Sequence, residues 1–334
     1  MSERDAVEAR RRAYALLGAL LVDGVNAERL ETVRALPPLA RGLPDSATVD
    51  ELAAEHYALF GHELFPFAGV FVDPAGLVGG GRPVEVVRRA HAALSLACAD
   101  EPSPDHLGQA LRLMATLCDA QLDAAEHDAQ ADVQTLLGWQ ARVLDEALLP
   151  WMPALLGALA GQPPSLWTRV VEMAVGVQAG HRAALTEPSP ASTLPAEPPS
   201  DPVALLDEPR TGLAKVAELL VTPIRSGVYL ARRDLEMLAQ RCELPRGFGG
   251  RSGMLERLLR NAAEYGALPR VVSELEGLLD ARDETYASLT QEPGLAVHVP
   301  PWRNRVAATR RLLARLRDAA QQIADPPTQR DASV

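Results

Sequence analysis

Asp105 and His106 stand side by side after Pro104, with Glu101 a few residues earlier. An aspartate carboxylate grips an arginine guanidinium through two parallel hydrogen bonds, and an imidazole beside it donates or accepts according to its protonation. Phe65, Phe67 and Phe71 crowd a Gly- and Pro-rich stretch, 61–81, in a chain with only five phenylalanines. Scarce aromatics concentrated in a loop either pack it down or form a binding surface. The two segments together make a candidate peptide seat, with an acid and an imidazole for a cationic side chain and rings for apolar ones. Residue types alone favour a plainer role, in which Asp105 stabilises the start of the next helix and His106 packs.

Other chemistry finds no pattern to support it. Glu101, Asp105 and His106, with His91 one helix away, are metal-ligand types, but no HExxH and no two-histidine i, i+4 pair occurs, so no metal site is expected. The Gly247–Gly253 turn lacks the lysine of a phosphate loop and a preceding apolar strand, and the GxSxG nucleophile turn is absent. Cys98, Cys118 and Cys242 are widely spaced and form no CxxC pair, which argues against a zinc site and a disulfide framework. The expectation is a protein that binds without catalysing and carries no cofactor of its own.

The elements that must position these residues read as helices. Ala and Leu dominate, and aromatics make up only 4%, a mixture that packs well in helices and poorly in sheets. Apolar spacing predicts helices over 4–22, 47–60, 82–98, 104–120, 130–147, 150–160 and 165–184. Ser103 as cap, Pro104 at the first position and Asp105 in the first turn predict the start of the helix over 104–120. Pro150 and Pro153 flank Trp151 and mark a junction. Trp139, Trp151 and Trp167 read as core anchors. From 187 to 202 six prolines (188, 190, 195, 198, 199 and 202) predict an extended linker. Beyond it helices are expected over 210–221, 229–241, 252–265, 268–288 and 302–323. The organisation is thus all-α: a helical domain over 1–186, a linker over 187–202, a smaller helical domain over 203–325 and a disordered tail over 326–334.

Three of these segments carry a resemblance. Glu101-Pro102-Ser103-Pro104-Asp105-His106 resembles the E-x-x-P-D-H element of the TorD/DmsD/NarJ family, chaperones for molybdenum-containing oxidoreductases. Leu64–Phe71 is similar to that family's aromatic, proline-containing loop, and Leu148–Pro153 to its W-x-P helix start. The resemblance covers roughly residues 5–185 and departs from the family at Phe67, Gly69 and His91, where family members commonly carry tyrosine, serine and tyrosine. It implies a TorD-like helical fold and a peptide-binding role for Asp105, His106, Glu101, Pro104, Phe65, Phe67, Phe71 and Trp151. The implied partner is the apo catalytic subunit of a molybdopterin oxidoreductase or its twin-arginine leader peptide, held unexported until cofactor is inserted. Residues 203–325 look like the C-terminal extension of longer members. A second reading is a helical scaffold or regulatory protein that keeps the fold without leader binding.

Charge agrees with a cationic partner. The net charge is -11, and it is uneven: residues 1–202 hold 14 basic and 27 acidic side chains, a balance of -13, and the remainder 19 and 17, a balance of +2. Such a field repels nucleic acid and attracts basic peptides. Lys215 is the only lysine, and Arg232-Arg233 and Arg310-Arg311 read as solvated faces or as a docking surface for the acidic part or a client. No stretch reaches the roughly 20 apolar residues that span a bilayer, and the first residues lead straight into a charged amphipathic segment, so a cytoplasmic location is expected. Monomer and homodimer are both compatible with the pattern.

Overall fold

The computed structural model describes residues 2–98, 100–185, 192–198, 200–208 and 212–324. The first part contains α1 (Glu3–Asp23), α2 (Ala27–Ala35), α3 (Pro37–Ala40), α4 (Val49–Ala58), α5 (Ala68–Val72), α6 (Gly81–Ala93), α7 (Leu107–Glu126), α8 (Gln130–Val143), α9 (Met152–Leu159) and α10 (Leu166–Ala184). The second contains α11 (Ala204–Asp207), α12 (Leu213–Val221), α13 (Pro223–Ser226), α14 (Arg232–Arg241), α15 (Arg251–Glu264), α16 (Leu268–Leu289) and α17 (Pro300–Ala324). The fold is all-α, with no strand among the described residues. Two single turns of π-helix, Leu59–Glu63 and Leu144–Leu148, extend α4 and α8.

Local chemistry explains most starts. Ser2 with Asp5 and Thr48 with Glu51 form capping boxes at α1 and α4, and Ser165 with Thr168 does the same at α10. Asn26 caps α2 and Pro37 opens α3; sequence periodicity passes over both because each buries only one or two side chains.

Three expectations need correction. The helix expected over 104–120 begins at Leu107 with His106 as its cap and runs to Glu126. Pro104 and Asp105 stay outside it because the Asp105 carbonyl accepts from Ala68 N–H and Leu107 N–H donates to the Pro66 carbonyl. The stretch 61–81 is not all loop, since it holds α5 and the π-turn ending at Glu63. The helix expected over 82–98 stops at Ala93, where Ser95 turns the chain with φ 56°.

Helices α1 and α7 meet almost backbone to backbone. A Cβ on Gly18 would lie 2.9 Å from the Gly108 carbonyl, and one on Gly108 would lie 2.6 Å from Val22. This contact seats the start of α7, and with it Asp105 and His106, against the core. Trp151 and Trp167 are buried, whereas Trp139 is half-buried beside Arg142.

The hydrophobic core is one cluster running from Val7 to Leu316. Trp302 of α17 donates from its indole N–H to the Pro150 carbonyl at 2.8 Å. The Tyr286 ring of α16 lies against Gly157, where a Cβ would come within 2.8 Å of it. Arg305 is fully buried and spends its guanidinium on carbonyls, those of Ile224 (2.7 Å), Pro301 (2.7 Å), Pro195 (3.0 Å) and Glu197 (3.1 Å). The described part of the proline-rich stretch is thereby tied to α17. Pro188, Pro190 and Pro199 of that stretch, and the tail 326–334, lie outside the described residues.

Candidate functional site

Asp105 reaches back to the aromatic loop with both its backbone and its side chain. Its carbonyl accepts from Ala68 N–H and its Oδ2 from Gly69 N–H, each at 2.9 Å. These are the first two amides of α5, which has no capping side chain of its own; Asp105 therefore caps α5 from a distance. The same carboxylate accepts from Gly79 N–H at 3.2 Å, so it also holds the turn at 73–81. Asp105 is buried, with 3% of its surface exposed.

His106 works on its own helix. Its Nδ1 accepts from Gly108 N–H at 3.1 Å, which assigns the ring proton to Nε2. Burial holds its pKa down at about 4, so the ring is neutral at pH 7. Phe67 pairs with it in an isolated antiparallel bridge and sets its ring edge-on at 4.8 Å, and Leu107 N–H donates to the Pro66 carbonyl at 2.8 Å. The Asp-His element is a clamp that fixes the aromatic loop.

Gly69 belongs to that clamp. A Cβ there would stand 2.1 Å from the Leu77 carbonyl and 2.9 Å from Asp105 Oδ2. The glycine where the resembled family commonly has serine is thus required by the close approach of the 73–81 turn. Gly69→Ser is expected to destabilise the fold by about 2 kcal/mol, measured as a drop in the urea midpoint at unchanged slope.

Phe71 points into a second group of rings. It is fully buried, 5.1 Å from Trp151 and stacked on Tyr229 of the second part at 5.2 Å. Trp151 donates to the Ala147 carbonyl at 2.9 Å. Tyr229 is itself fully buried, and its hydroxyl donates to the Glu63 carbonyl at 2.9 Å and meets Phe65 N–H at 3.4 Å. The Arg251 guanidinium lies 4.1 Å from the Tyr229 ring centroid. Burial raises the Tyr229 pKa, so it remains a hydroxyl donor. Tyr229→Phe is expected to cost about 1 kcal/mol, seen as a fall of a few degrees in Tm.

The sequence-chosen residues therefore form two groups. Asp105, His106 and Phe67 meet at the clamp, while Phe71 lies between Trp151 and Tyr229. Phe65 and Phe67 are half-buried, Pro104 is buried, and Glu101 is exposed and makes no hydrogen bond or ion pair with the other seven.

Open space lies beside the loop. A cleft of about 800 Å³ is lined by Glu55, Ala58, Leu59, His62 and Glu63 on one wall, by Gln162–Ser165 at the start of α10, and by Arg232, Arg233 and Glu236 of α14. The Glu63 carboxylate accepts from Arg233 N–H at 2.9 Å, and the Arg232 guanidinium donates to the Gly249 carbonyl at 2.8 Å. Gln162 Nε2 is buried without a partner. The pair Arg232-Arg233, legible in the sequence, thus lies at the seam of the two parts. The acidic wall was missed because Glu55 and Glu63 are ordinary helical carboxylates until the fold brings α14 opposite them.

With this geometry in place, comparison with known proteins locates the family likeness. Residues 26–156 match the family model of the nitrate reductase delta subunit. No curated protein matches the chain, and no solved structure does. The matched segment includes α5, the Asp-His clamp, Trp151 and the Glu55–Glu63 wall. Tyr229, Arg251 and α14 lie outside it, so the matched part's aromatic loop is covered by a part of the chain that the family model does not reach.

Proposed function

We propose that this chain is a maturation chaperone for the apo catalytic subunit of a molybdenum oxidoreductase, acting in the cytoplasm and without chemistry of its own. The match of residues 26–156 to the nitrate reductase delta subunit carries this reading. The client's N-terminal segment or leader enters the cleft beside the aromatic loop. Glu55 and Glu236 present carboxylates there that make no hydrogen bond or ion pair among the described residues, and the acidic balance of residues 1–202 draws a basic peptide to them. Residues 1–186 are the client-binding unit and 203–325 a docked helical unit that supplies the facing wall. The client is held until its molybdopterin-guanine dinucleotide is inserted.

Co-purification tests it. The tagged full chain, expressed with a molybdenum oxidoreductase from its own genome, is expected to bring down the catalytic subunit in its cofactor-free form. Recovery of the chain alone, or with cofactor-loaded subunit only, contradicts the proposal. The covered stack of Phe71, Trp151 and Tyr229 supports the second reading, a scaffold without leader binding. Under that reading the chain binds an assembled partner, and charge changes in the cleft leave the interaction unaltered.

A further inference from the structure

A separate pocket of about 500 Å³ lies between the α3 turn and the outer face of α10, lined by Pro38, Arg41, Arg169, Glu172, Met173 and Val177 among others. Two guanidiniums face it, and neither makes an ion pair or hydrogen bond among the described residues. The Arg169 Nη1 atom is buried without an acceptor. Glu172, one turn from Arg169 on the same helix, forms no ion pair with it. A buried guanidinium N–H lacking an acceptor is costly and calls for a partner. The backbone also makes room for it: Gly42, with φ +74°, leaves Arg169 Nη2 at 2.9 Å from where a Cβ would stand. Met173 and Val177, one turn apart, are half-buried and supply an apolar wall.

We infer that this pocket binds an organic carboxylate, its anion on Arg169 and Arg41 and its apolar body on Met173 and Val177. Its α10 wall, Arg169 to Val177, lies outside the family-matched segment, while Pro38 and Arg41 lie within it; it shares no lining residue with the cleft, so it goes beyond the chaperone reading and does not depend on it. The carboxylate is a small free acid or the C-terminus of a polypeptide. Glu172 opposes the anion, and this sets the sign of one test.

Calorimetric titration of the full chain with 4-phenylbutyrate is expected to show one saturable site with a dissociation constant of about 1 mM or below. The neutral amide of the same acid and inorganic phosphate should each bind at least tenfold more weakly, because the first lacks the charge and the second the apolar body. Arg169→Gln should weaken binding at least tenfold and the exposed Arg41→Gln at least threefold, while Glu172→Gln tightens it. A tetrapeptide ending Val-Leu with a free carboxylate that binds more tightly than phenylbutyrate, and loses this on amidation, identifies a polypeptide terminus; weaker binding identifies a small acid. Equal binding of acid and amide, phosphate as tight as the acid, or a folded Arg41→Gln variant that binds like wild type overturns the inference. So does the lack of saturable binding.

Discussion

Asp105→Ala is expected to lower the unfolding free energy by about 3 kcal/mol. The carboxylate is buried and accepts from Gly69 and Gly79 N–H, at 2.9 and 3.2 Å. Truncation strands the buried Gly69 amide, at roughly 1–3 kcal/mol, frees the exposed Gly79 amide and the turn it holds, and removes a charged acceptor from the start of α5. Asp105→Asn should lose about half as much, since Oδ2 lies within reach of both amides and an amide oxygen there keeps those bonds. Denaturant unfolding of the three proteins checks the order Asp, Asn, Ala. If Asp105→Ala unfolds like wild type, the carboxylate is not the clamp the geometry makes it.

Acid is expected to destabilise the protein well above the range where carboxylates titrate. Burial lowers the pKa of His106 to about 4, of His181 to about 3 and of His298 to about 4. Buried Arg182 contributes to the shifts of the last two, and burial lowers His56 as well. Each ring is neutral when folded, whereas in the unfolded chain it takes a proton near pH 6.5. The unfolded state therefore binds more protons between these limits. The stabilisation from neutral burial is complete above about pH 6.5 and is lost as the pH falls toward 4. At about 3 kcal/mol per ring the three sum to the order of 10 kcal/mol, comparable with the whole stability of a domain. Urea midpoints measured from pH 7.5 to 4.5 should fall steeply below about pH 6, and His181→Gln should flatten the slope by one proton. A stability that is level down to pH 5 contradicts this.

The fold class was legible because an Ala- and Leu-rich chain with few aromatics leaves little else to build. The long amphipathic helices α1, α10, α16 and α17 follow from apolar spacing, with ends near those expected. The start of α7 was misplaced by three residues because Ser103, Pro104 and Asp105 carry local helix-start chemistry, while the contacts that override it come from Pro66–Gly69, about 36 residues away. The same distance hides the clamp: nothing near Asp105 in sequence shows that its acceptor lobes belong to Gly69 and Gly79. Tyr229, the residue that closes the aromatic stack, stands first in the helix expected over 229–241, whereas α14 begins at Arg232 and leaves it in the connection from α13; nothing local marks it as a partner of Phe71. The cleft is harder still to read, since its walls come from three segments far apart in the chain and its carboxylates resemble any solvated pair.

The chaperone reading stands most directly on whether the cleft takes a cationic client segment. Calorimetric titration of the full chain with the N-terminal peptide of a candidate oxidoreductase subunit decides it, with the Glu55→Gln/Glu236→Gln double variant alongside. Wild type is expected to bind with one-to-one stoichiometry. The double variant should bind at least tenfold more weakly at unchanged stability, as should a peptide whose arginines are replaced by glutamine. A peptide that does not bind, or that binds all forms equally, contradicts the assignment of the cleft.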